Sequence, residues 1–239
     1  MPDPKVLLSL VIPTYNEASN LATIVRLLSD VLNGIVGGNY ELIVVDDDSP
    51  DRTWELAQAL TSDNPHLRVM RRHDGRGLAR AVVQGWLAAN GEILGVIDGD
   101  MQHPPELLPK LLAAIEQGSD LAVASRYLEG GGVSTLRLTR RMISRGAQVL
   151  GLILLPTVLC RVSDPLSGYF LVRRDVIAGR DLDPIGYKIL IEVLARGNVS
   201  KIAEVGYVFQ ERHRGGSKLT WRQYLEYVRH LWRLRRHCG

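Results

Sequence analysis

The chain has 239 residues, 46% of them hydrophobic, and its 29 basic and 26 acidic side chains leave a formal charge of +3. This describes one large α/β-sized domain, or a domain with an added tail, and excludes a disordered chain; the charge is too small to argue for nucleic acid. Two cysteines, Cys160 and Cys238, form neither a disulfide framework nor a zinc spacing, which points to a reducing compartment.

The first residues, Met1 to Lys5, run straight into a strand-like segment and lack the apolar region of a signal peptide. No segment reaches the ~20 apolar residues that span a bilayer. Val6 to Ile12 is a continuous apolar run ending at Pro13 and reads as a buried parallel strand. The loop Pro13-Thr14-Tyr15-Asn16-Glu17 follows, then a helix from Leu21 to Leu32 with Ser19 or Asn20 as its cap. Gly34, Gly37 and Gly38 make a return loop into a strand from Tyr40 to Val45, which stops at Asp46-Asp47-Asp48-Ser49-Pro50-Asp51. A helix from Thr53 to Leu60, a strand from Leu67 to Arg71, a helix from Ala79 to Ala89 and a strand from Ile93 to Ile97 complete the first half. Strands alternating with helices predict a doubly wound, mostly parallel α/β sheet. Gly75-Arg76-Gly77 lacks the third glycine of a dinucleotide fingerprint, and there is no Walker lysine loop, so neither NAD nor P-loop chemistry is expected.

The second half changes character. A helix is expected from Pro109 to Glu116, a strand from Leu121 to Ser125 and a glycine-rich loop from Glu129 to Val133. Leu136 to Leu155 reads as a helix whose first half carries Arg137, Arg140, Arg141 and Arg145 and whose second half is apolar. Its apolar part is too short to cross a membrane but long enough to lie in an interface or bury in a core. Asp164 to Phe170 is a turn entering a strand to Arg173; a helix from Gly186 to Arg196, a strand from Ile202 to Phe209 and a loop from Gln210 to Leu219 follow. The tail from Trp221 to Arg236 places aromatics and aliphatics at helical spacing beside five arginines and one glutamate. That pattern suits a helix lying on an anionic membrane, and equally an amphipathic helix closing the core.

The chemistry gathers where strands stop. The fourth strand ends at Asp98-Gly99-Asp100-Met101-Gln102-His103-Pro104-Pro105. Two carboxylates and an amide within five residues suit a hard divalent cation, Mg²⁺ or Mn²⁺, that bridges to substrate phosphates. Glu17, Asp46 to Asp48 and Asp164 add acids at other strand ends, and Arg126, Arg140, Arg212 and Lys218 add cations in later loops. Such a set fits a polyphosphate held with a metal. His73 and His103 have no serine or cysteine at a motif spacing and are expected to be surface or loop histidines.

These segments resemble glycosyltransferase family 2, and within it the dolichol-phosphate (polyprenol-phosphate) mannosyltransferases. The likeness is carried by residues 13–17, 46–51, 98–106 and 125–127, and extended by Asp-Pro-Leu-Ser-Gly-Tyr-Phe at 164–170 and Arg-His-Arg-Gly-Gly-Ser-Lys-Leu at 212–219. Gly99 departs from a frequent alanine, and many relatives continue into transmembrane helices where this sequence stops at Gly239.

The resemblance implies a GT-A fold, with residues 1–219 as the catalytic domain, 136–159 as an interface-helix region and 220–239 as a basic amphipathic C-terminal helix. It implies transfer of mannose from GDP-mannose to dolichyl or polyprenyl phosphate, with inversion, at the cytoplasmic face of a membrane, peripherally or through segments absent from this chain. Pro13 and Tyr15 would lie against the nucleobase, Glu17 near the ribose, and Val45 and Asp47 in the base pocket. Asp98, Gly99, Asp100 and Gln102 would hold the donor diphosphate, with Asp98, Asp100 and Gln102 on the metal. Arg126 and Arg140 would meet the acceptor phosphate, and Arg212 and Lys218 the diphosphate. Two readings stay open beside this one: a UDP-sugar (glucose) transferase acting on undecaprenyl phosphate, and an inactive nucleotide-sugar-binding subunit. A separate membrane subunit is a possible partner; nucleic acid is not.

Overall fold

A computed structural model describes residues 6–128, 132–133, 146, 149–210 and 221–237. Among them, seven strands form one sheet: β1 (Leu8–Thr14), β2 (Tyr40–Asp46), β3 (Leu67–Arg71), β4 (Ile93–Val96), β5 (Leu121–Ser125), β7 (Phe170–Arg173) and β8 (Ile202–Gly206). A separate pair joins β6 (Gly132–Val133) to β9 (Val208–Phe209). The helices are α1 (Ala18–Val36), α2 (Thr53–Leu60), α3 (Leu78–Ala88), α4 (Leu108–Glu116), α5 (described over 149–154), α6 (Pro156–Leu159), α7 (Arg174–Ile177), α8 (Ile189–Arg196) and α9 (Trp221–His237).

The strand order is β3-β2-β1-β4-β7-β5-β8. From β1 the chain winds outward to β2 and β3, then returns to lay β4 on the other side of β1. This reversal is a topological switch point, where open α/β sheets leave a crevice at the carboxyl ends of the strands. The sheet is mixed, because β7 runs antiparallel to both β4 and β5. Two antiparallel steps bring β5 back parallel to β4, so the carboxyl ends of β1, β2, β4 and β5 share one edge.

Side chains alternate across each strand, so a wholly apolar strand feeds two cores. Leu8, Leu10 and Ile12 join Leu42 and Val44 beneath α1 and α4. Val11 faces the other way, with Ile43, Val45 and Val96, against α3, α8 and α9.

Several element boundaries differ from the expected ones. β1 continues through Pro13 to Thr14. The ladder to β4 ends at Val11↔Val96, so Pro13 sits past it and its missing N–H removes no bond from that ladder. α1 begins at Ala18, which places Ser19 and Asn20 inside it. Its first N–H groups are met from another loop: Glu17 N–H donates to Thr53 Oγ1 at 3.0 Å and Ala18 N–H to Asp51 Oδ2 at 3.1 Å. A cap supplied across the fold leaves no local signature. α8 starts at Ile189 rather than Gly186. The strand expected from Ile202 to Phe209 divides at Tyr207, whose N–H donates to Ser125 O at 3.0 Å before the chain leaves for β6. Within the expected 129–133 loop, Gly132 and Val133 form that partner strand. Of the helix expected from 136 to 155, the basic half lies outside the described residues.

α9 is fastened to the sheet by one face. Tyr227, His230, Leu231 and Leu234 are buried. His230 Nε2 lies 2.5 Å from Glu192 Oε2, and the same fully buried carboxylate meets Arg196 Nε at 2.7 Å and accepts the Asp183 N–H at 3.0 Å. Gly151 is the point where α5 meets α9, since a Cβ there would stand 2.6 Å from the Tyr227 hydroxyl. The tail helix is thus part of the core and also leaves Leu225, Val228 and Trp232 exposed beside Arg229, Arg235 and Arg236.

Candidate active site

Three adjacent aspartates at the end of β2 have three different surroundings. Asp46 is fully buried and shapes the loop: Oδ2 accepts from Thr14 Oγ1 at 2.8 Å and Ser49 Oγ at 2.6 Å, and Oδ1 accepts the Ser49 N–H at 2.8 Å. Asp48 is turned outward to Arg71 at 2.6 Å. Asp47 faces the crevice, where Oδ1 meets Arg72 Nη1 at 2.5 Å and Oδ2 accepts the Gly77 N–H at 2.7 Å. Burial raises the Asp47 carboxyl above its usual value, against the opposing pull of Gly77 and Arg72.

Asp47 and Arg72 line a small cavity of about 120 Å³ with Asp48, His73, Gly75 and Arg76. Arg76 closes its mouth by lying over the Tyr15 ring, 4.4 Å from the centroid. A larger cavity of about 410 Å³ sits away from the crevice, near Tyr40, Asp63 and His66, and contains none of the expected site residues. The crevice is therefore the better candidate despite its smaller void. Pro13 is buried in β1, and Glu17 Oε2 accepts from Asn20 Nδ2 at 2.8 Å. Val45 is wholly buried against α3, between β1 and β3, so it can only floor the crevice from beneath.

The end of β4 brings the candidate metal ligands together. Asp100 Oδ1 accepts the Gln102 N–H at 3.1 Å, closing an Asx turn around Met101, whose φ of 62° is left-handed. Gln102 Nε2 donates to Gln210 O at 3.1 Å, and Gln210 N–H donates back to Gln102 O at 3.1 Å. With its amide nitrogen engaged there, Gln102 has Oε1 left to offer a cation. Gly168 makes room for Asp98: a Cβ there would lie 2.5 Å from Asp98 Oδ2. At Gly99 a methyl would meet only ordinary contacts, 3.4 Å from Thr14 Cγ2, so the departure from alanine is slight. Among the described residues there is no cluster of three or more His, Cys, Asp or Glu side chains placed to hold a metal. Two carboxylates and one amide oxygen form a partial, all-oxygen set, which fits Mg²⁺ or Mn²⁺ completed by phosphate and water and does not fit a closed zinc cage.

At the end of β5, Arg126 forms a two-pronged pair with the fully buried Asp164, at 2.7 and 2.8 Å. Burial opposes the Arg126 charge, yet Asp164 overrides it and holds the guanidinium above its usual range. Lys188, just before α8, donates to Leu166 O at 2.6 Å. Burial and then Arg126 push its ammonium down to about 8, against the attraction of Asp98, Asp164 and Asp100. The folded state thus releases this proton more easily than the unfolded chain. Between about pH 8 and 10.5 the unfolded chain holds the extra proton, so stability gains with rising pH across that window. Denaturant midpoints measured from pH 7.5 to 10.5 should rise more steeply for the wild type than for Lys188→Met; parallel profiles would remove Lys188 from the buried charge cluster.

The profile of the family described as "Glycosyl transferase family 2" matches residues 9–179. The chain belongs to that family. It is 49% identical over 226 residues to a dolichol-phosphate mannosyltransferase of Pyrococcus furiosus, covering 95% of this chain and 63% of that one, so it spans about three-fifths of that relative's length. It is 35% identical to the dolichol-phosphate mannosyltransferase of Mycosarcoma maydis, covering 93% of this chain and 77% of that protein. Its fold is similar to the crystal structure of glucosyl-3-phosphoglycerate synthase from Mycobacterium tuberculosis in complex with Mn²⁺, UDP and glucosyl-3-phosphoglycerate. That likeness has a TM-score of 0.64 at 25% identity, covering 87% of this chain and 73% of the other.

For this family 2 chain, sequence reasoning singled out the acids and Arg126 but not their neighbours Arg72, Lys188, Tyr207 and Gln210, which reach the crevice from single positions with no spacing to announce them. The expectation of a surface or loop position for His103 holds for the loop and not for the surface. The residue does lie in a loop, but it is only 4% exposed and packs among Tyr169, Tyr207 and Phe209. Its place directly after Asp98-Gly99-Asp100-Met101-Gln102 was the available signal. His73 is exposed, as expected. Arg140, Arg212 and Lys218 lie outside the described residues.

Proposed function

We propose that this chain transfers mannose from GDP-mannose to a dolichyl or polyprenyl phosphate, with inversion and with a divalent metal. The observation that carries the reading is the gathering of Asp98, Asp100, Arg126 and Asp164 around Lys188 at the carboxyl ends of β4 and β5, with Gln102 on the same β4 loop, in a chain so similar to named dolichol-phosphate mannosyltransferases. Tyr15, Glu17 and Asp47 form the nucleoside end of the crevice, with Pro13 and Val45 beneath it. Asp98, Asp100 and Gln102 hold Mg²⁺ or Mn²⁺, with the Gly99 backbone beside the diphosphate. The metal supplies charge neutralisation for the departing diphosphate.

Arg126, kept rigid by Asp164, receives the acceptor phosphate, and Arg140 assists it. Arg212 and Lys218 neutralise the diphosphate. A phosphate monoester with a second pKa of about 6 is already anionic near neutrality. It needs no side chain to remove a proton, so these residues act by positioning and charge. One displacement turns the α-linked donor into a β-mannosyl phosphate lipid.

Residues 1–219 serve as the catalytic unit and 220–239 as the attachment helix. No helix among the described residues is long and apolar enough to cross a membrane. Val149, Leu150 and Ile153 are exposed on α5, which meets α9 at Gly151 and Tyr227, and α9 exposes Leu225, Val228 and Trp232 with arginines alongside. This surface rests on the cytoplasmic leaflet and brings the crevice to headgroup depth. In flotation with anionic vesicles the wild type should rise with lipid, and Trp232→Glu should stay largely in the soluble fraction; equal partitioning would refute the membrane-facing role of this stripe.

The overall reading is tested by offering polyprenyl phosphate, Mn²⁺ or Mg²⁺, and a set of radiolabelled GDP- and UDP-sugars. Label from GDP-mannose in β-linked lipid is expected. Label only from UDP-glucose, or no transfer from any donor, would replace it with one of the two readings left open above.

A further inference from the structure

His103 is a buried imidazole that the proposed chemistry does not use. Its ring is fixed edge-on to Tyr169 and Phe209, with centroids 5.5 and 5.3 Å away, and tilted against Tyr207 at 5.5 Å. Nδ1 lies 2.8 Å from the Tyr207 hydroxyl, and Nε2 lies 3.6 Å from Asp98 Oδ2. A carboxylate oxygen only accepts, so the proton facing it must sit on Nε2. Burial raises the Tyr207 phenol far above its usual range, so that hydroxyl keeps its proton and donates it to Nδ1 in the tautomer whose ring proton is on Nε2. Nδ1 is then engaged by Tyr207, and Nε2–H faces Asp98 from just beyond hydrogen-bond distance.

We propose that His103 is a positioning residue, whose Nε2–H, held by Tyr207, orients the Asp98 carboxylate for a divalent cation. The inference rests on the metal assignment made above for Asp98, Asp100 and Gln102. Outer partners that orient metal ligands typically change metal affinity 10–100-fold when removed. The contact at 3.6 Å is longer than a hydrogen bond, and a shift of about 0.5 Å in Asp98 would close it. Gly168 has no Cβ to crowd the same carboxylate, where one would stand 2.5 Å from Oδ2. The same cage reaches the acceptor side, because the Arg126 guanidinium lies 5.4 Å from the Phe209 ring centre. One aromatic cluster therefore registers the β4 loop against the end of β5.

The test is Mn²⁺ titration of the full chain in the presence of GDP, with free Mn²⁺ followed by its electron paramagnetic resonance signal, alongside thermal melts and steady-state kinetics. His103→Phe fills the cage without a donor, whereas His103→Gln restores an N–H near the Nε2 position. The expected result is a 10–100-fold loss of Mn²⁺ affinity in His103→Phe, with most of it regained in His103→Gln. The metal concentration needed for half-maximal rate should shift in the same order. A residue that only packs would give the reverse: Mn²⁺ affinity unchanged in Phe and melting lowered in Gln, which overturns the proposal. Should His103→Phe fail to fold, Tyr207→Phe decides, since it deletes one oxygen: weakened Mn²⁺ binding supports the proposal and wild-type binding overturns it. A wild type that binds no Mn²⁺ with GDP would instead defeat the metal assignment itself.

Discussion

Replacing Asp100 by alanine should lower mannosyl transfer by at least the ~10²–10³ that follows the loss of one preorganised electrostatic contact. The substitution removes two things together. One is a carboxylate at the proposed metal, and the other is the acceptor for the Gln102 N–H that closes the turn at Met101. Asp100→Asn separates them, because its amide oxygen can still accept that N–H while the negative charge is gone. Both variants should therefore be inactive at low Mn²⁺, with the asparagine form recovering more at high Mn²⁺. Gln102→Ala should fall in the same range, since it loses its ligand oxygen and its tie to Gln210. The readout is radiolabelled polyprenyl phosphate formed against Mn²⁺ concentration. Turnover near the wild-type value in either alanine variant would show that the β4 loop is not the metal site.

Asp164→Ala should be the most damaging of these changes to the fold. It leaves the Arg126 guanidinium in its pocket without the two-pronged partner that stabilises its charge. Breaking one side of a buried ion pair costs about 3–5 kcal/mol. For a chain of this size that lowers Tm by roughly 10 °C. Arg126→Met leaves the opposite orphan, the Asp164 carboxylate, and should cost a similar amount. The double variant Asp164→Leu/Arg126→Met removes both charges, so its loss should be well below the sum of the two single changes. Its transfer activity should nonetheless remain strongly reduced, because Arg126 is gone and Arg140 alone is left to meet the acceptor phosphate. Calorimetry of the four proteins gives the coupling; additive losses would mean that Arg126 is stabilised by something other than Asp164.

Much of the fold was legible because its signals are local. Val6 to Ile12, Tyr40 to Val45 and Ile93 to Ile97 are apolar runs of strand length, and each stops at polar residues. Such a pattern names a strand, and nearly its end, without any knowledge of neighbours. The boundaries that moved were those set by distant partners. α1 begins early because Asp51 and Thr53 meet its first N–H groups, and the last strand divides at Tyr207 where its pairing passes from β5 to β6. The antiparallel insertion of β7 likewise has no signature within Phe170 to Arg173, since strand direction is a property of the pairing.

The sequence by itself determined which residue types stand at the strand ends, and with them the resemblance to family 2, because order along the chain is all that a motif requires. Only the tertiary structure decided what each of them does there. Asp46, Asp47 and Asp48 are chemically identical neighbours, yet one braces a loop, one faces a crevice and one meets solvent. Lys188 and His103 acquire their roles from groups tens of residues away. Charge, proton placement and hydrogen-bond supply depend on surroundings in space, and only the packed chain creates those surroundings.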